Sequence, residues 1–302
     1  MIRSITVDSL SNGYSLKLIL ANPEASQGFA VITCDGLGPG SAKVNDSEWV
    51  TVDGAHINSA RLPARDINLS LRFVPRTYDE SVADIRRSSY IYFPIKQMVR
   101  LTFEFEDFKA NSTVRKRWIE GVVSKNETGP WSEEEGCEIQ IRCGDPYFRD
   151  VEIEEDSFSL IEPKFHFEFP DDVSDHPFPI SEILTFTEKT LINNSTINVG
   201  AIFKLESVAA VVNPALYNRT TNQRFDLNYT LLPGEVVVFD TRKGHKRIYK
   251  QDGYNTNMIQ FMKPGSKWLQ LSPGGNKVGY QADSGVENLV VSYKIEPIYE
   301  GI

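Results

Sequence analysis

The chain has 302 residues, a length that suits two ordinary domains. It carries 32 Lys+Arg against 41 Asp+Glu, a formal net charge of −9, with 40% hydrophobic and 24% charged residues, 17 Phe and 12 Tyr. That composition excludes a largely disordered chain. The acidic excess is spread evenly, with 18 basic and 21 acidic residues up to position 150 and 14 and 20 beyond it. No basic segment is set aside for a phosphate backbone, so specific nucleic-acid binding is not expected.

No apolar run approaches the ~20 residues of a membrane helix, and membrane insertion is not expected. The start, Met1–Asp8, has no uninterrupted apolar segment of signal-peptide length, and synthesis in a reducing cytoplasm is expected. Of the three cysteines, Cys137 and Cys143 lie six apart in one strand-like stretch. A strand rising ~3.3 Å per residue separates them by roughly 20 Å, too far for a disulfide.

The dominant period along the chain is two. Leu16, Leu18 and Leu20 alternate with Ser15, Lys17 and Ile19, and Ile67, Leu69, Leu71 and Phe73 with Asn68, Ser70 and Arg72. Between this strand and the next lies the one helical pattern before residue 150. Thr77-Tyr78-Asp79-Glu80 has capping-box spacing, Val82, Ile85, Ser89 and Phe93 follow at helical intervals, and Pro94 closes the element. Alternation resumes in Leu101–Glu106 and in Cys137–Cys143, where both thiols fall on the apolar face.

An acidic, proline-punctuated stretch over 151–180 reads as a junction, with Phe165–Phe169 as a strand inside it. Short strands then recur at Phe203–Leu205, Val236–Phe239 and Leu289–Ile295. Turn signals such as Asn213-Pro214, Pro233-Gly234, Lys243-Gly244 and Pro273-Gly274 separate them, the pattern of a β-sandwich of roughly 120 residues. The expected organisation is thus a domain over 1–150, a junction over 151–180 and a sandwich over 181–302.

Signatures of catalysis are sparse. His56, His166, His176 and His245 are scattered, without an H-E-x-x-H pair, and the cysteines lack zinc-site spacing. No G-x-S-x-G elbow is present. Gly36-Leu37-Gly38-Pro39-Gly40 lacks the Gly-Lys-Ser/Thr ending of a phosphate loop and reads as a surface turn. Asp171–His176 offers oxygen ligands for Ca²⁺ but lacks EF-hand spacing, and reads as a solvated loop. Arg115-Lys116-Arg117 beside Trp118 reads as a solvated hairpin or a subunit contact. Trp268, with Asn255 or Asn257 nearby, offers a ring for stacking on a sugar; packing at the sandwich core or edge is the favoured reading. No enzyme activity, catalytic residue, cofactor or metal is expected.

Several segments nevertheless resemble one family. Ile141–Asp150, with Asp145-Pro146-Tyr147-Phe148 at its centre, resembles the signature that ends the first domain of siphophage distal tail proteins, the Dit family. Gly54–Arg61 followed by Arg65-Asp66-Ile67, Tyr92–Leu101 and Trp118–Val123 are similar to that family's first-domain segments in colinear order. In the second half, Pro233–Gly244, Trp268–Asn276 with its Leu-x-Pro-Gly-x-Asn turn, and Tyr293–Ile302 continue the likeness.

What the resemblance implies is a structural protein of mainly β class. An N-terminal belt domain, a split β-barrel with one helix, assembles as a homo-hexamer ring around the tail channel, and a galectin-like β-sandwich follows it. The ring joins the tail tube protein to the tail-associated hub or lysin at the virion's tail tip, after assembly in the host cytoplasm, and in many phages carries receptor-binding proteins. A ring closed by rotation needs two different complementary surfaces on each subunit. The alternative is a carbohydrate-binding module gripping a host-surface glycan. Galectin-type sites use a His/Asn/Arg cluster with a Trp, and His56, Asn58 and Arg61 suggest one only superficially, since they lie in the other domain. A hydrolase ranks last.

Overall fold

The computed structural model describes residues 1–302 except 21, 23, 50, 52, 107–112, 130–134, 164–180 and 186. The chain divides into two compact units, Met1–Glu152 with Ile298–Ile302, and Ile153–Pro297. Phe165–Phe169, Asp171–His176 and the histidines His166 and His176 lie outside the described residues.

The first unit is a split antiparallel sheet with a single α-helix among its described residues. Its strands are β1 (Ile2–Ser9), β2 (Ser15–Ile19), β3 (Phe29–Asp35), β4 (Lys43–Glu48), β5 (Ala55–Arg61), β6 (Arg65–Phe73), β7 (Met98–Glu106), β8 (Val114–Thr128), β9 (Gly136–Cys143) and β10 (Phe148–Asp150), with α1 (Val82–Tyr92) between β6 and β7. The main order is β2-β1-β7-β8-β9-β6-β3, while β4 and β5 pair only with each other. The sheet splits at β8: residues Val122–Thr128 pair with β9, whereas Arg117 and Trp118 pair with β10. No ladder joins β2 to β3, so the sheet stays open there.

Alternation produces most of this sheet, because β1, β2, β6, β7 and β9 each bury one row. Ile67, Leu69, Leu71 and Phe73 of β6, and Cys137, Ile139, Ile141 and Cys143 of β9, enter one apolar cluster with rows from β1, β2 and β7. Both thiols are buried there, unpaired in a disulfide, and burial pushes each up to about 12. Ile85 of α1 and the adjoining Phe93 cover the cluster.

The helix begins later than its sequence suggests. Ser81, not Thr77, is the N-cap: its Oγ accepts from the Asp84 amide at 3.2 Å and donates to the Asp84 carboxylate at 2.6 Å. Glu80 is drawn away by Arg76, whose amide and guanidinium donate to its carboxylate at 2.7 and 2.6 Å. Thr77–Glu80 therefore closes a separate turn, with the Glu80 amide donating to the Thr77 carbonyl at 3.2 Å.

The second unit is a sandwich. One sheet runs β11 (Glu154–Ser157), β24 (Leu289–Ile295), β15 (Ala201–Ser207), β20 (Val236–Asp240), β21 (Arg247–Lys250), β22 (Thr256–Asn257); the other runs β14 (Glu188–Asn193), β23 (Gly274–Gln281), β17 (Ala215–Asn218), β18 (Gln223–Asp226). β12 (Ser159–Pro163) pairs with β13 (Ser181–Thr185), and β16 (Val211–Val212) with β19 (Thr230–Leu231). Aromatic rings bridge the two sheets: Phe225 meets Phe239 edge-on at 4.9 Å, and Phe158 meets Tyr280 at 5.5 Å and Tyr293 at 5.7 Å.

Two boundaries differ from those read in the sequence. The acidic Glu154–Ser157 is not a linker; it forms the β11 edge of the sandwich against β24. The chain's last stretch, expected in the sandwich, returns to the first unit, where β25 (Ile298–Tyr299) pairs with β10. The mainly β class with a C-terminal sandwich, and with one α-helix among the described residues, is what the structure has. No described helix is long and apolar enough to cross a membrane.

Candidate assembly surface

The four signature residues form a clasp for the returning strand. Asp145 accepts from the Tyr147 amide at 3.3 Å and pairs with Arg149 at 2.9 Å, which fixes the turn into β10. Phe148 is fully buried, edge-on to Phe103 at 5.9 Å, and stands opposite Tyr299 in the β10–β25 ladder. Tyr147 is half-buried, and burial, with Glu300 and Asp145 nearby, raises its pKa.

Arg65 organises the clasp. At 8% exposure it donates from Nε to the Pro146 carbonyl at 2.9 Å and from Nη1 to the Gly36 and Gly38 carbonyls at 2.6 and 2.5 Å. Nη2 donates to the Glu300 carbonyl, and the guanidinium lies over the Phe148 ring at 4.8 Å. Burial lowers its pKa from the usual guanidinium value. Gly36 adopts φ +90°, and a Cβ there would stand 2.2 Å from the Asp66 carbonyl oxygen, so the loop approaches β6 only as glycine. The glycine-rich loop is thus more than a surface turn: its carbonyls are acceptors for Arg65, and the Leu37 carbonyl accepts from the Ile302 amide at 3.2 Å.

Arg117 completes the grip. It donates to the Gly301 carbonyl at 2.7 Å, and its guanidinium lies 3.4 Å from the Tyr299 ring centre and 5.2 Å from that of Phe105. The basic run is therefore divided. Arg117 is 9% exposed and holds the C-terminal strand, while Lys116 turns to the other face and pairs with Glu104 at 2.9 Å. Alternation along a strand requires this division.

In the sandwich, the family-like segments are also braces. Arg242 forks onto the buried Asp240 carboxylate with two bonds of 2.9 Å and reaches Glu296 at 2.6 Å, and the Asp240 hydrogen bonds raise its pKa. Asn276, fully buried, closes the Leu-x-Pro-Gly-x-Asn turn: it accepts from the Ser272 amide at 2.9 Å and donates to the Ser272 and Gly274 carbonyls at 2.7 and 3.0 Å.

Trp268 is half-buried and packs on Phe225 at 5.5 Å, with the Lys246 ammonium 5.9 Å from its ring centre. Of its supposed helpers, Asn255 is exposed, and Asn257 uses Oδ1 to accept from the Ile259 amide at 3.0 Å. Among the described residues, no group of three or more His, Cys, Asp and Glu could hold a metal ion.

The unusual surface is the β4–β5 hairpin, which the sequence reading did not separate from its flanks. Every residue of both strands is exposed, including Val44 and Ile57, and Trp49 at the tip is 65% exposed. His56, Asn58 and Arg61 lie on it, and Asn58 donates to the Ser47 hydroxyl at 2.6 Å. Lys43 and Arg61 face each other at its base, whereas the exposed carboxylates Asp46, Glu48 and Asp53 lie on the half towards the turn. A ribbon with two wet faces buries no apolar row of its own, and a lone two-stranded hairpin is marginal in water.

Comparison with known proteins begins with the fold, which is similar to that of a solved phage tail protein. The crystal structure of the SPP1 Dit (gp 19.1) protein, described as a paradigm of the hub adsorption apparatus in phages infecting Gram-positive bacteria, superposes with a TM-score of 0.62 at 14% identity, over 97% of this chain and 98% of that one. The phage P2 baseplate in its activated, Ca-containing conformation aligns over 100% of both chains at 9% identity, with a TM-score of 0.47. No curated protein matches the sequence. Residues 194–296 match the family of the siphovirus-type tail component, C-terminal domain. The resemblance to Dit-family distal tail proteins drawn from the motifs is borne out by that match and by the SPP1 Dit fold.

Proposed function

We propose that this chain is a ring-forming distal tail protein. Six copies close through their first units around the tail channel and join the tail tube protein to the hub or lysin at the tail tip. Receptor-binding proteins attach at the same level of the virion, and the chain catalyses no reaction itself. It is built in the host cytoplasm and ends in the virion, where it serves host attachment.

The observation that carries this reading is the solvent-exposed β4–β5 hairpin. A subunit of a closed ring must offer a surface that is incomplete alone and complementary to a different surface on its neighbour. A ribbon with Trp49, Val44 and Ile57 in water is such a surface. The match of residues 194–296 to a siphovirus-type tail component supports the same setting.

Native mass spectrometry and electron microscopy test the proposal, on the concentrated protein alone and mixed with tail-tube and hub proteins of the same phage. Six-fold rings are expected. A monomer in every mixture overturns the reading.

A further inference from the structure

A second exposed apolar surface lies on the first unit, away from the hairpin in the sheet order. Leu10, Tyr14, Ile91, Ile95, Met98 and Val122 are each more than a third exposed. Backbone contacts bring the segments that carry them together. The Leu10 amide donates to the Met98 carbonyl at 3.1 Å, Met98 stands opposite Val122 in the β7–β8 ladder, and Asn12 donates to the Ile91 carbonyl at 2.9 Å. Tyr14 packs edge-on against Tyr92 at 6.5 Å. Clustered apolar side chains of this kind mark an interaction site, unlike single exposed ones.

The backbone bends sharply within this surface. Lys96 adopts φ +65°, a left-handed conformation that non-glycine residues rarely take, and Ile95, Lys96, Gln97 and Met98 are all exposed. The bend is pinned by the Lys96 amide donating to the Val123 carbonyl at 2.9 Å and the Val123 amide to the Gln97 carbonyl at 3.0 Å. Backbone of this kind persists where surrounding structure holds it, and it concentrates at functional surfaces.

Patch and hairpin complement each other. The patch is apolar with Lys96 within it and Arg87 one helical turn before Ile91. The hairpin tip carries an aromatic, Trp49, with the exposed Asp46, Glu48 and Asp53 within four residues of it in the sequence. They are also two different surfaces: the patch is built on the β1–β2 turn, β7, β8 and the end of α1, and the hairpin leaves between β3 and β6. We infer that the acidic, Trp49-bearing hairpin of one copy docks on the Leu10–Ile95–Met98 patch of the next copy. The contact is head-to-tail, which is what a ring needs and a two-fold dimer does not. This inference rests on the ring reading above and names the surfaces that close it.

Site-directed cross-linking tests it. The native thiols Cys137 and Cys143 are buried, and the partly exposed Cys34 is removed by Cys34→Ser in both variants, so the introduced surface cysteines react selectively. An Ile57→Cys protein mixed with a Met98→Cys protein is treated with a short bis-maleimide under ring-forming conditions. Cross-linked dimer is expected only in the mixture, about tenfold or more above either variant alone, because docking raises the local concentration of the partner thiol. A second measurement uses charge: Lys96→Glu should weaken ring formation about tenfold and Asp53→Lys on the hairpin should restore it. Rings that form without the mixed cross-link or the charge rescue overturn this contact and leave the ring reading standing. Cross-linking of Met98→Cys to added tube or hub protein instead of Ile57→Cys assigns the patch to that protein and overturns the inference. Absence of rings under all conditions overturns both.

Discussion

Arg65 lies across the Phe148 ring, 4.8 Å from its centre, while the same guanidinium donates to the Pro146 carbonyl two residues earlier. One buried cation thus fastens the signature turn, the glycine loop and the returning C-terminal strand, through carbonyls of Pro146, Gly36, Gly38 and Glu300. Replacing it strands several buried acceptors at once. Arg65→Ala should cost about 3 kcal/mol and release the 298–302 segment to proteases. Arg65→Lys should rescue little, because a point charge cannot serve acceptors on three segments. Thermal melts with limited proteolysis read both effects; wild-type melting of Arg65→Ala would show that the clasp adds nothing.

Glu104 contributes to the acid sensitivity of the first unit. The Ser4 hydroxyl at 2.6 Å, Lys116 at 2.9 Å and Lys17 at 3.0 Å hold its carboxyl down at about 2, against a burial effect of opposite sign. A carboxylate depressed on folding contributes its full stability above its unfolded pKa near 4.5 and loses it as pH falls toward 2. Glu104→Gln should therefore lower stability at pH 7 by on the order of 1–2 kcal/mol, and much less at pH 2. Urea titrations at the two pH values measure the difference; an equal loss at both would refute the assignment.

Ser81 and Thr77 distinguish the observed helix start from the one written in the sequence. Ser81→Ala removes the acceptor for the Asp84 amide and should cost about 1 kcal/mol. Thr77→Ala removes no cap bond from α1 and should change stability by less than about 0.5 kcal/mol. Chemical denaturation of the pair decides it: equal losses would place the cap elsewhere.

Trp268 separates packing from sugar recognition. Its contact with Phe225 makes Trp268→Ala a core defect, with an expected loss of about 2 kcal/mol in the second unit and no change on a glycan array. A variant with wild-type stability and lost glycan binding would instead assign the ring to a ligand.

The legible parts of this fold were those in which one face is wet and the other dry. β6, β7 and β9 are written in plain alternation because each buries a full row, and the same alternation put Cys137 and Cys143 in the core. The β4–β5 hairpin escaped because both its faces are wet, leaving no period to detect. The clasp escaped for another reason: Arg65 and Glu300 are 235 residues apart, and an arginine that bonds carbonyls needs no particular side chain opposite it. Arg117 was hidden inside a basic run whose other members face solvent. The Asp145–Phe148 signature did point to the place, though not to the strand it receives.

The return of β25 to β10 also fixes an order in time. Residues 298–302 are synthesised after the whole sandwich, yet they supply the Glu300 and Gly301 carbonyls that Arg65 and Arg117 hold in the first unit. The unit begun first on the ribosome is finished last. A nascent chain halted anywhere within the sandwich leaves Arg65 and Arg117 without those acceptors, so the first unit closes fully only once the chain is translated past residue 301.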